Sequence, residues 1–257
     1  MISRRLLSIE RHQKIIERIV TGNTLNFEIL SKELNVSVMT IRRDVKELEK
    51  QGFLKSTRGG AYAQTTRSID ILLSPRAEDQ GEAKLIIGKY AATLIEPGEL
   101  IFIGPGSTTA QFVQFLKPEL NLTVITASIP HASFLAAKGF KVISTGGEIA
   151  TDDIAQTGYI AHDNIKRFFA SKTIIGTRGV SKDVGLTDIN SEIAQLSNLM
   201  VAQAEQVFVL ADISKVGIKA NYAICPLSEV DEIITTEDAH AAFMTECGDL
   251  CEILASK

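Results

Sequence analysis

From residue 82 to the C-terminus, short apolar strands alternate with segments of helical periodicity. The predicted strands are Leu100–Ile103, Thr123–Thr126, Lys141–Ser144, Thr173–Ile175, Val207–Leu210 and Glu232–Thr235, and the predicted helices are 82–95, 108–116, 130–138 and 191–204. Strands that alternate with helices in this way build a parallel sheet with helices on both faces. The sequence therefore predicts a Rossmann-like, mostly parallel α/β domain over residues 82–257.

The first 63 residues show a different pattern, in which three helices precede a short hairpin. The predicted helices span 8–21, 26–34 and 37–50, and the predicted hairpin spans Phe53–Tyr62. Asn26 and Ser37 are favourable N-caps, and Gly52 is a plausible stop for the third helix. We expect one domain over 1–63, a polar linker over 64–81 and the α/β domain after it.

Charge is distributed unevenly between these two parts. Residues 1–70 hold 13 Lys and Arg against 8 Asp and Glu, although the whole chain holds 27 against 31. A basic module joined to an acidic one favours contact between the N-terminal part and nucleic acid.

The helix over 37–50 has one apolar stripe and one polar face. Val38, Ile41, Val45 and Leu48 lie on a single stripe at 100° per residue, which must face a core. The candidates for DNA contact on the rest of the helix are Ser37, Met39, Thr40, Arg42, Arg43 and Lys46. Arginine matches the O6 and N7 acceptors of guanine, and hydroxyl groups at a helix start can donate to phosphates. Asp44 and Glu47 lower the charge of this face, and a solvated amphipathic helix would show the same spacing.

A glycine-rich turn follows the first predicted strand of the α/β domain. It reads Gly104-Pro105-Gly106-Ser107-Thr108-Thr109 and leads into a predicted helix. Backbone N–H groups and hydroxyls at a helix N-terminus favour an anion, which makes this turn a candidate phosphate site. The turn matches neither a Walker A loop nor a dinucleotide-binding motif. A simple tight turn with an N-cap is the alternative.

Other polar residues follow the ends of further strands. They are Thr145, Gly146 and Gly147, then Arg178, and then Asp212 and Lys215. In open α/β sheets, ligands bind outside the carboxyl ends of the strands. We therefore expect an effector site formed by Gly104, Gly106, Ser107, Thr108, Thr109, Thr145, Gly146, Gly147, Arg178, Asp212 and Lys215.

Residues 37–52 resemble the recognition helix of the DeoR family of bacterial transcriptional regulators. The shared features are the Thr-hydrophobe-Arg-Arg-Asp core, here Thr40–Asp44, and the Leu-Glu-x-x-Gly ending, here Leu48–Gly52. Leu54–Ala61 resembles the family's wing, which implies that Lys55 and Arg58 contact the DNA backbone. The resemblance extends over nearly the whole chain.

The C-terminal motifs resemble the sensor domain of that family, which is related in fold to sugar-phosphate isomerases. The resemblance implies a DNA-binding regulator of carbohydrate-metabolism genes, expected to be a repressor, that responds to a phosphorylated sugar or sugar derivative. Because one helix-turn-helix reads few base pairs, we expect a homo-oligomer, a dimer or a tetramer, on a double-stranded operator.

Two alternatives belong to other function classes. One is an isomerase-like enzyme acting on sugar phosphates, although the Asp-Gly-Ala-Asp motif of those enzymes is absent and no catalytic residues stand out. The other is a nucleotide-binding module, although no acidic ribose-binding residue follows the glycine-rich turn at the expected distance.

Composition excludes several other classes. With 45% hydrophobic and 23% charged residues, the chain is unlike collagen-like or disordered proteins. The sequence shows no signal peptide and no apolar run long enough to span a membrane, so we expect a cytoplasmic protein without membrane contact. The three cysteines and four histidines lack metal-site spacing, and we expect no metal and no cofactor.

Overall fold

The computed structural model describes residues 11–12, 14–15, 18, 24–50, 54–63, 80–150 and 153–256, apart from the side chains of Lys50 and Ala63. The chain forms two compact units, Met1–Leu73 and Ser74–Lys257. The predicted linker, 64–81, lies almost wholly outside the described residues, and its last residue is the first residue of a helix.

The first unit contains short helices and a small antiparallel sheet. Its elements are β1 (Thr24–Asn26), α1 (Phe27–Glu33), α2 (Val38–Lys50), β2 (Leu54–Ser56) and β3 (Gly60–Ala63). Strand β3 pairs with β1 on one side and with β2 on the other. The predicted second and third helices and the hairpin are confirmed. Residues 11, 12, 14, 15 and 18 of the predicted first helix are helical. The sequence did not indicate β1, because only one of its three side chains is buried.

Both predicted N-caps of the first unit are confirmed. The Asn26 side chain accepts hydrogen bonds from the backbone N–H groups of Glu28 and Ile29, at 2.9 and 3.2 Å. The Ser37 hydroxyl accepts one from the Thr40 backbone at 3.2 Å. Between the two helices, Asn35 adopts a left-handed conformation with φ of 52°. The predicted helix stop at Gly52 lies outside the described residues.

One buried cluster holds this unit together. It contains Ile15, Leu25, Phe27, Leu30, Leu34, Ile41, Val45, Leu48, Leu54 and Ala61. The stripe of α2 therefore faces the core as predicted, and the opposite side of α2 faces solvent.

The second unit is built on a seven-stranded parallel sheet. Its strands are β4 (Leu100–Ile103), β5 (Thr123–Thr126), β6 (Lys141–Ser144), β9 (Ala170–Gly176), β12 (Ala204–Leu210), β14 (Glu232–Thr236) and β15 (Glu252–Ser256). Their order across the sheet is β15-β14-β12-β9-β4-β5-β6, and every neighbouring pair is parallel. The predicted parallel α/β architecture is confirmed, with β9 and β12 longer than predicted.

Helices cover both faces of this sheet. They are α3 (Gly81–Ala91), α4 (Ser107–Phe115), α5 (Ile129–Ala137), α6 (Gly158–Ile165), α7 (Ser191–Ala202) and α8 (Glu237–Cys247). Successive side chains of a strand enter different cores: Phe102 belongs to one buried cluster, whereas Ile101 and Ile103 belong to the other. Strands buried on both faces explain the nearly continuous apolar runs in the sequence.

Several elements were not predicted. They are the hairpin of β7 (Glu148–Ala150) and β8 (Ala155–Thr157), the antiparallel sheet of β10 (Gly179–Ser181), β11 (Gly185–Asp188) and β13 (Tyr222–Cys225), the helices α6 and α8, and strand β15. None of the described helices combines the length and the apolar character needed to cross a membrane.

Candidate functional site

The exposed side of α2 presents polar and basic side chains to solvent. Arg43 and Lys46 are exposed, and Met39 is 75% exposed. Within the described part of the chain, neither basic side chain forms an ion pair or hydrogen bond. Met39, one turn before Arg43, is too exposed to have a packing role in this unit. The exposed basic side chains make this side of α2 the candidate nucleic-acid surface.

The hydroxyls at the start of α2 are partly engaged in capping. The Ser37 and Thr40 hydroxyls are 2.9 Å apart and share a hydrogen bond. Ser37 is exposed and Thr40 is half-buried. The hydroxyl proton that this bond does not use can still donate to a DNA phosphate. Contact between these hydroxyls and the phosphate backbone stays a prediction.

Arg42 differs from its neighbour Arg43 because it contacts the hairpin. Its guanidinium donates to the carbonyl of Arg58 at 3.3 Å and lies 5.8 Å from the centre of the Phe27 ring. The side chains of Lys55 and Arg58 are exposed on the hairpin. Arg42 therefore joins the helix to the hairpin that carries the two predicted wing contacts.

A second contact between α2 and the hairpin runs through Glu49. Its carboxylate accepts from the Ser56 backbone at 2.8 Å and from the Ser56 hydroxyl at 2.6 Å. These hydrogen bonds lower the pKa of Glu49, which means that they favour its ionised form.

The expectation that Asp44 lowers the surface charge of this face is wrong. Asp44 is buried and accepts two hydrogen bonds from the Arg11 guanidinium, at 2.7 and 3.0 Å. The ring of His12 lies 3.3 Å from the same carboxylate. Helical periodicity did not show that Asp44 is buried whereas Glu47 is exposed. Glu47 is exposed as expected.

In the second unit, the glycine-rich turn joins β4 to α4. The Thr109 hydroxyl lies 2.9 Å from the Gly104 carbonyl and 3.0 Å from the Gly106 carbonyl, and donates to them. Gly106 has φ of 147°, a conformation that favours glycine. Gly104 lies close to β9, where an added Cβ would be 3.0 Å from the Ile175 side chain. The contacts of Gly104 and Thr109 inside the protein therefore determine the shape of the turn.

Five of the predicted effector residues line one small cavity at this turn. They are Gly106, Ser107, Thr108, Arg178 and Lys215. The cavity has a volume of about 80 Å³. Its position past the ends of β4, β9 and β12, at the N-terminus of α4, is the place where an α/β sheet binds an anion.

The same cavity is lined by charged residues that the sequence analysis did not include in the effector site. They are Lys84 on α3, Asp153, and Asp188 at the end of β11. Arg178 lies 3.9 Å from Asp153. None of the three follows a predicted strand, so the rule that placed the other residues could not find them.

Asp212 lies beneath the cavity rather than in its wall. Its buried carboxylate accepts from the backbone and the hydroxyl of Ser214, at 2.9 and 2.5 Å. The Lys215 ammonium donates to the same hydroxyl at 2.8 Å and lies 3.8 Å from Asp212. Asp212 therefore orients the loop that presents Lys215.

The turn Thr145–Gly147 does not line the cavity. The Gly146 backbone donates to the Gln156 side chain at 2.9 Å, and the Asn164 side chain donates to the Thr145 carbonyl at 2.8 Å. A Cβ on Gly147 would lie 2.4 Å from the Thr157 carbonyl. These contacts give the motif a structural role, and its contact with an effector stays a prediction, as it does for Gly104, Thr109 and Asp212.

A buried histidine packs against the glycine-rich turn. Burial of the His131 ring beside the Gly106 backbone lowers its pKa to about 4. The ring is therefore neutral at physiological pH. Nothing in the sequence distinguishes this residue from the other three scattered histidines.

The described residues contain no group of three or more His, Cys, Asp or Glu side chains placed to hold a metal ion. Cys225 and Cys247 are buried, and Cys251 is half-buried. Burial raises the pKa of the Cys225 thiol to about 12, which keeps it in its unreactive protonated form.

Comparison with known proteins gives matches over both units. The DeoR-like helix-turn-helix domain matches residues 11–67, and the DeoR C terminal sensor domain matches residues 79–237. The HTH-type transcriptional repressor GlcR of Bacillus subtilis (strain 168) is 32% identical, over 91% of this chain and 90% of its own. The lactose phosphotransferase system repressor of Staphylococcus aureus (strain NCTC 8325 / PS 47) is 32% identical, over 88% and 90%. Among solved structures, a ribose 5-phosphate isomerase A from Methanocaldococcus jannaschii matches 53% of this chain and 54% of its own, with 19% identity and a TM-score of 0.41.

Proposed function

This chain belongs to the DeoR family of transcriptional regulators, and we propose that it represses carbohydrate-metabolism genes until a phosphorylated sugar binds its second unit. Its first unit is a DNA-binding helix-turn-helix with a hairpin wing. The carbohydrate connection is supported by the similar protein of S. aureus, which is named as the repressor of a lactose phosphotransferase system. Both relatives are repressors, which gives the isomerase-like alternative no support.

The proposed DNA contacts divide into two groups with different roles. Arg43 and Lys46, on the exposed side of α2, are placed to read base edges in the major groove, where arginine pairs with guanine. Lys55 and Arg58, exposed on the hairpin, are placed to neutralise backbone phosphates. Because one such unit reads few base pairs, the active form on DNA is proposed to be at least a dimer.

One observation carries the proposed effector class. The cavity joins the helix N-terminus at Gly106–Thr108 with the cations of Lys84, Arg178 and Lys215. Backbone N–H groups, hydroxyls and cations that converge on one point are the recognition elements of a phosphate. The carboxylates of Asp153 and Asp188 in the same wall are suited to accept hydrogen bonds from sugar hydroxyls.

A two-part experiment tests this function. Thermal shift against glucose 6-phosphate, fructose 6-phosphate, fructose 1-phosphate and ribose 5-phosphate should find a ligand that stabilises the protein, by about 2.7 kcal/mol at 100 times its Kd. The same ligand should weaken binding to a duplex from the protein's own promoter, and the unphosphorylated sugar should do neither. If no sugar phosphate changes operator binding, the proposed function is wrong, and turnover of these compounds would then favour the enzyme alternative.

A further inference from the structure

Two of the three cysteines lie at the two ends of one turn in the second unit. Cys247 is the last residue of α8, and Cys251 directly precedes β15. The Leu250 backbone N–H donates to the Cys247 carbonyl at 2.9 Å, and the Cys251 thiol donates to the same carbonyl at 3.8 Å. The chain therefore folds back on the end of the helix and brings the second thiol to the first cysteine.

The two thiols are also within hydrogen-bonding reach of each other. As a neutral pair, the Cys247 thiol donates to the Phe243 carbonyl at 3.3 Å. When Cys251 ionises, its thiolate accepts a hydrogen bond from the Cys247 thiol, which lowers the pKa of Cys251 and raises the pKa of Cys247. Sulfur atoms that lie this close in the folded protein meet the geometric condition for a disulfide.

The two cysteines differ in their access to solvent. Cys247 is 1% exposed and belongs to a buried cluster of the second unit, whereas Cys251 is half-buried and packs against that cluster. A small oxidant in solution therefore reaches the sulfur of Cys251 first. Thiolate character and exposure together determine which cysteine is oxidised, and both favour Cys251.

The turn that carries the pair is held in place by its neighbours. The Gly248 backbone N–H donates to the Met244 carbonyl at 3.1 Å, and an added Cβ on Gly248 would lie 2.7 Å from the same carbonyl. The Glu246 carboxylate accepts from the Lys182 backbone at 2.9 Å, and Asp249 lies 3.3 Å from the Lys182 ammonium. These contacts keep the turn folded, so the two cysteines stay close together.

We propose that Cys251 and Cys247 form a reversible disulfide when the protein reacts with a hydroperoxide such as hydrogen peroxide. Cys251 is the cysteine that reacts with the oxidant, and Cys247 is the resolving cysteine. A low-pKa, accessible cysteine next to a resolving cysteine is the arrangement that responds reversibly to oxidation, because the disulfide protects the first sulfur from further oxidation.

The reaction has two steps. In the first, the Cys251 sulfur attacks one oxygen of the hydroperoxide: an S–O bond forms, the O–O bond breaks, and the released oxyanion takes up the proton that Cys251 has lost. The sulfur loses two electrons and the peroxide gains them. In the second, the Cys247 sulfur attacks the sulfenic acid of Cys251: the S–S bond forms, the S–O bond breaks, and hydroxide leaves as water with the Cys247 proton. A dithiol reverses the reaction by thiol–disulfide exchange.

Peptide mapping after oxidation tests the proposal. The full chain is treated with hydrogen peroxide, the remaining thiols are blocked with N-ethylmaleimide in denaturant, and the peptides are mapped without reduction. Of the three thiols, only that of Cys225 should remain, and a disulfide should join Cys247 to Cys251. Dithiothreitol should restore all three thiols. The reaction requires neither DNA nor a sugar phosphate, so its outcome is independent of the proposed function.

Three serine variants assign the steps. Cys247→Ser should form no disulfide and should keep a sulfenic acid on Cys251 that dimedone traps, whereas Cys251→Ser should show neither product. Cys225→Ser is the matched control and should behave like the parent, because burial raises the pKa of this thiol to about 12. If a variant fails to fold, alkylation of the native parent with iodoacetamide decides the order, and Cys251 should react at least ~10 times faster than Cys247.

Four results would overturn the proposal. They are three unchanged thiols in the peroxide-treated parent, oxidation of Cys251 beyond the sulfenic acid without a disulfide, a disulfide that includes Cys225 or joins two chains, and equal alkylation rates of Cys251 and Cys247.

Discussion

Arg11 and Asp44 form a two-bond ion pair in which the carboxylate is buried and the guanidinium is nearly so, with side-chain exposures of 6% and 13%. The pair fastens the helical segment around residue 11 to the middle of α2. Removing Asp44 takes both of these hydrogen bonds and a buried counter-charge away from the Arg11 guanidinium.

We therefore predict that Asp44→Ala destabilises the first unit by about 3 kcal/mol. Urea unfolding of the full chain, followed by a fluorophore attached in the first unit, measures the effect. Glu47→Ala is the matched control, since it removes an exposed carboxylate from the same helix and should change stability by less than about 0.5 kcal/mol. Equal effects of the two substitutions would contradict a special role for the buried pair.

Arg43→Ala should weaken operator binding by about 1–3 kcal/mol and relax the sequence preference, because this exposed arginine is proposed to read a base. Arg58→Ala should instead weaken binding to the operator and to a random duplex alike, since it is proposed to contact phosphates. Titrations on both duplexes at several salt concentrations distinguish the two roles. An operator affinity that is unchanged in Arg43→Ala would show that the helix face has been assigned wrongly.

Lys215→Ala should greatly weaken binding of the sugar phosphate while leaving ligand-free operator affinity near that of the parent. The reason is the loss of a charge-assisted contact in the effector cavity. Gly106→Val should have the same effect, because φ of 147° is strained for any side chain and the turn would change shape. Calorimetry with the sugar phosphate measures both variants, and parent-like affinity in both would place the effector elsewhere.

Burial of His131 predicts a pH dependence of stability. The folded-state pKa of about 4 lies below the ordinary value of 6.5, so the unfolded state takes up a proton first as the pH falls. The stability from the neutral ring is complete above pH 6.5 and is lost progressively as the pH falls toward 4. Between pH 7.5 and 5, the parent should lose about 2 kcal/mol more than His131→Gln in urea unfolding. Parallel pH profiles of the two proteins would contradict this.

The operator-bound protein should be at least a dimer. Sedimentation velocity with a labelled operator duplex should give a complex that contains two or more chains per DNA. A complex with one chain at concentrations well above the operator Kd would contradict the expectation of a homo-oligomer.

Much of the fold followed from periodicity. The sheet strands β4, β5, β9, β12 and β14 contain apolar runs bounded by turn residues, and burial on both faces made them easy to locate. Strand β6 lies at the sheet edge and has no buried side chain, yet its two central residues, Val142 and Ile143, were enough to indicate it. Strands β10, β11 and β13 were missed because they carry mixed side chains and no clear apolar run. Their pairing depends on tertiary contacts, such as the close approach of Gly185 to the Cys225 carbonyl.

The site was predicted only where it followed strand ends. That rule located Gly106, Arg178 and Lys215, which do line one cavity. It could not locate Lys84 or Asp188, which approach the cavity from a helix and from a small second sheet. The rule also predicted that Thr145–Gly147 contacts the effector. A turn that is stabilised by Gln156 and a turn that faces a ligand cannot be told apart from the sequence.

The two hydrogen-bonded contacts between α2 and the hairpin have a thermodynamic consequence for DNA recognition. Because Arg42 bonds to Arg58 and Glu49 bonds to Ser56, the spacing between α2 and the hairpin is set when the unit folds, and with it the spacing between the side chains proposed to read bases and those proposed to contact phosphates. The conformational entropy of arranging these two elements is thus lost before DNA arrives, and the duplex meets a preorganised surface. Glu49→Ala, which removes the contact with Ser56, would leave the proposed DNA-contacting side chains in place and still lower affinity, through the entropy of binding.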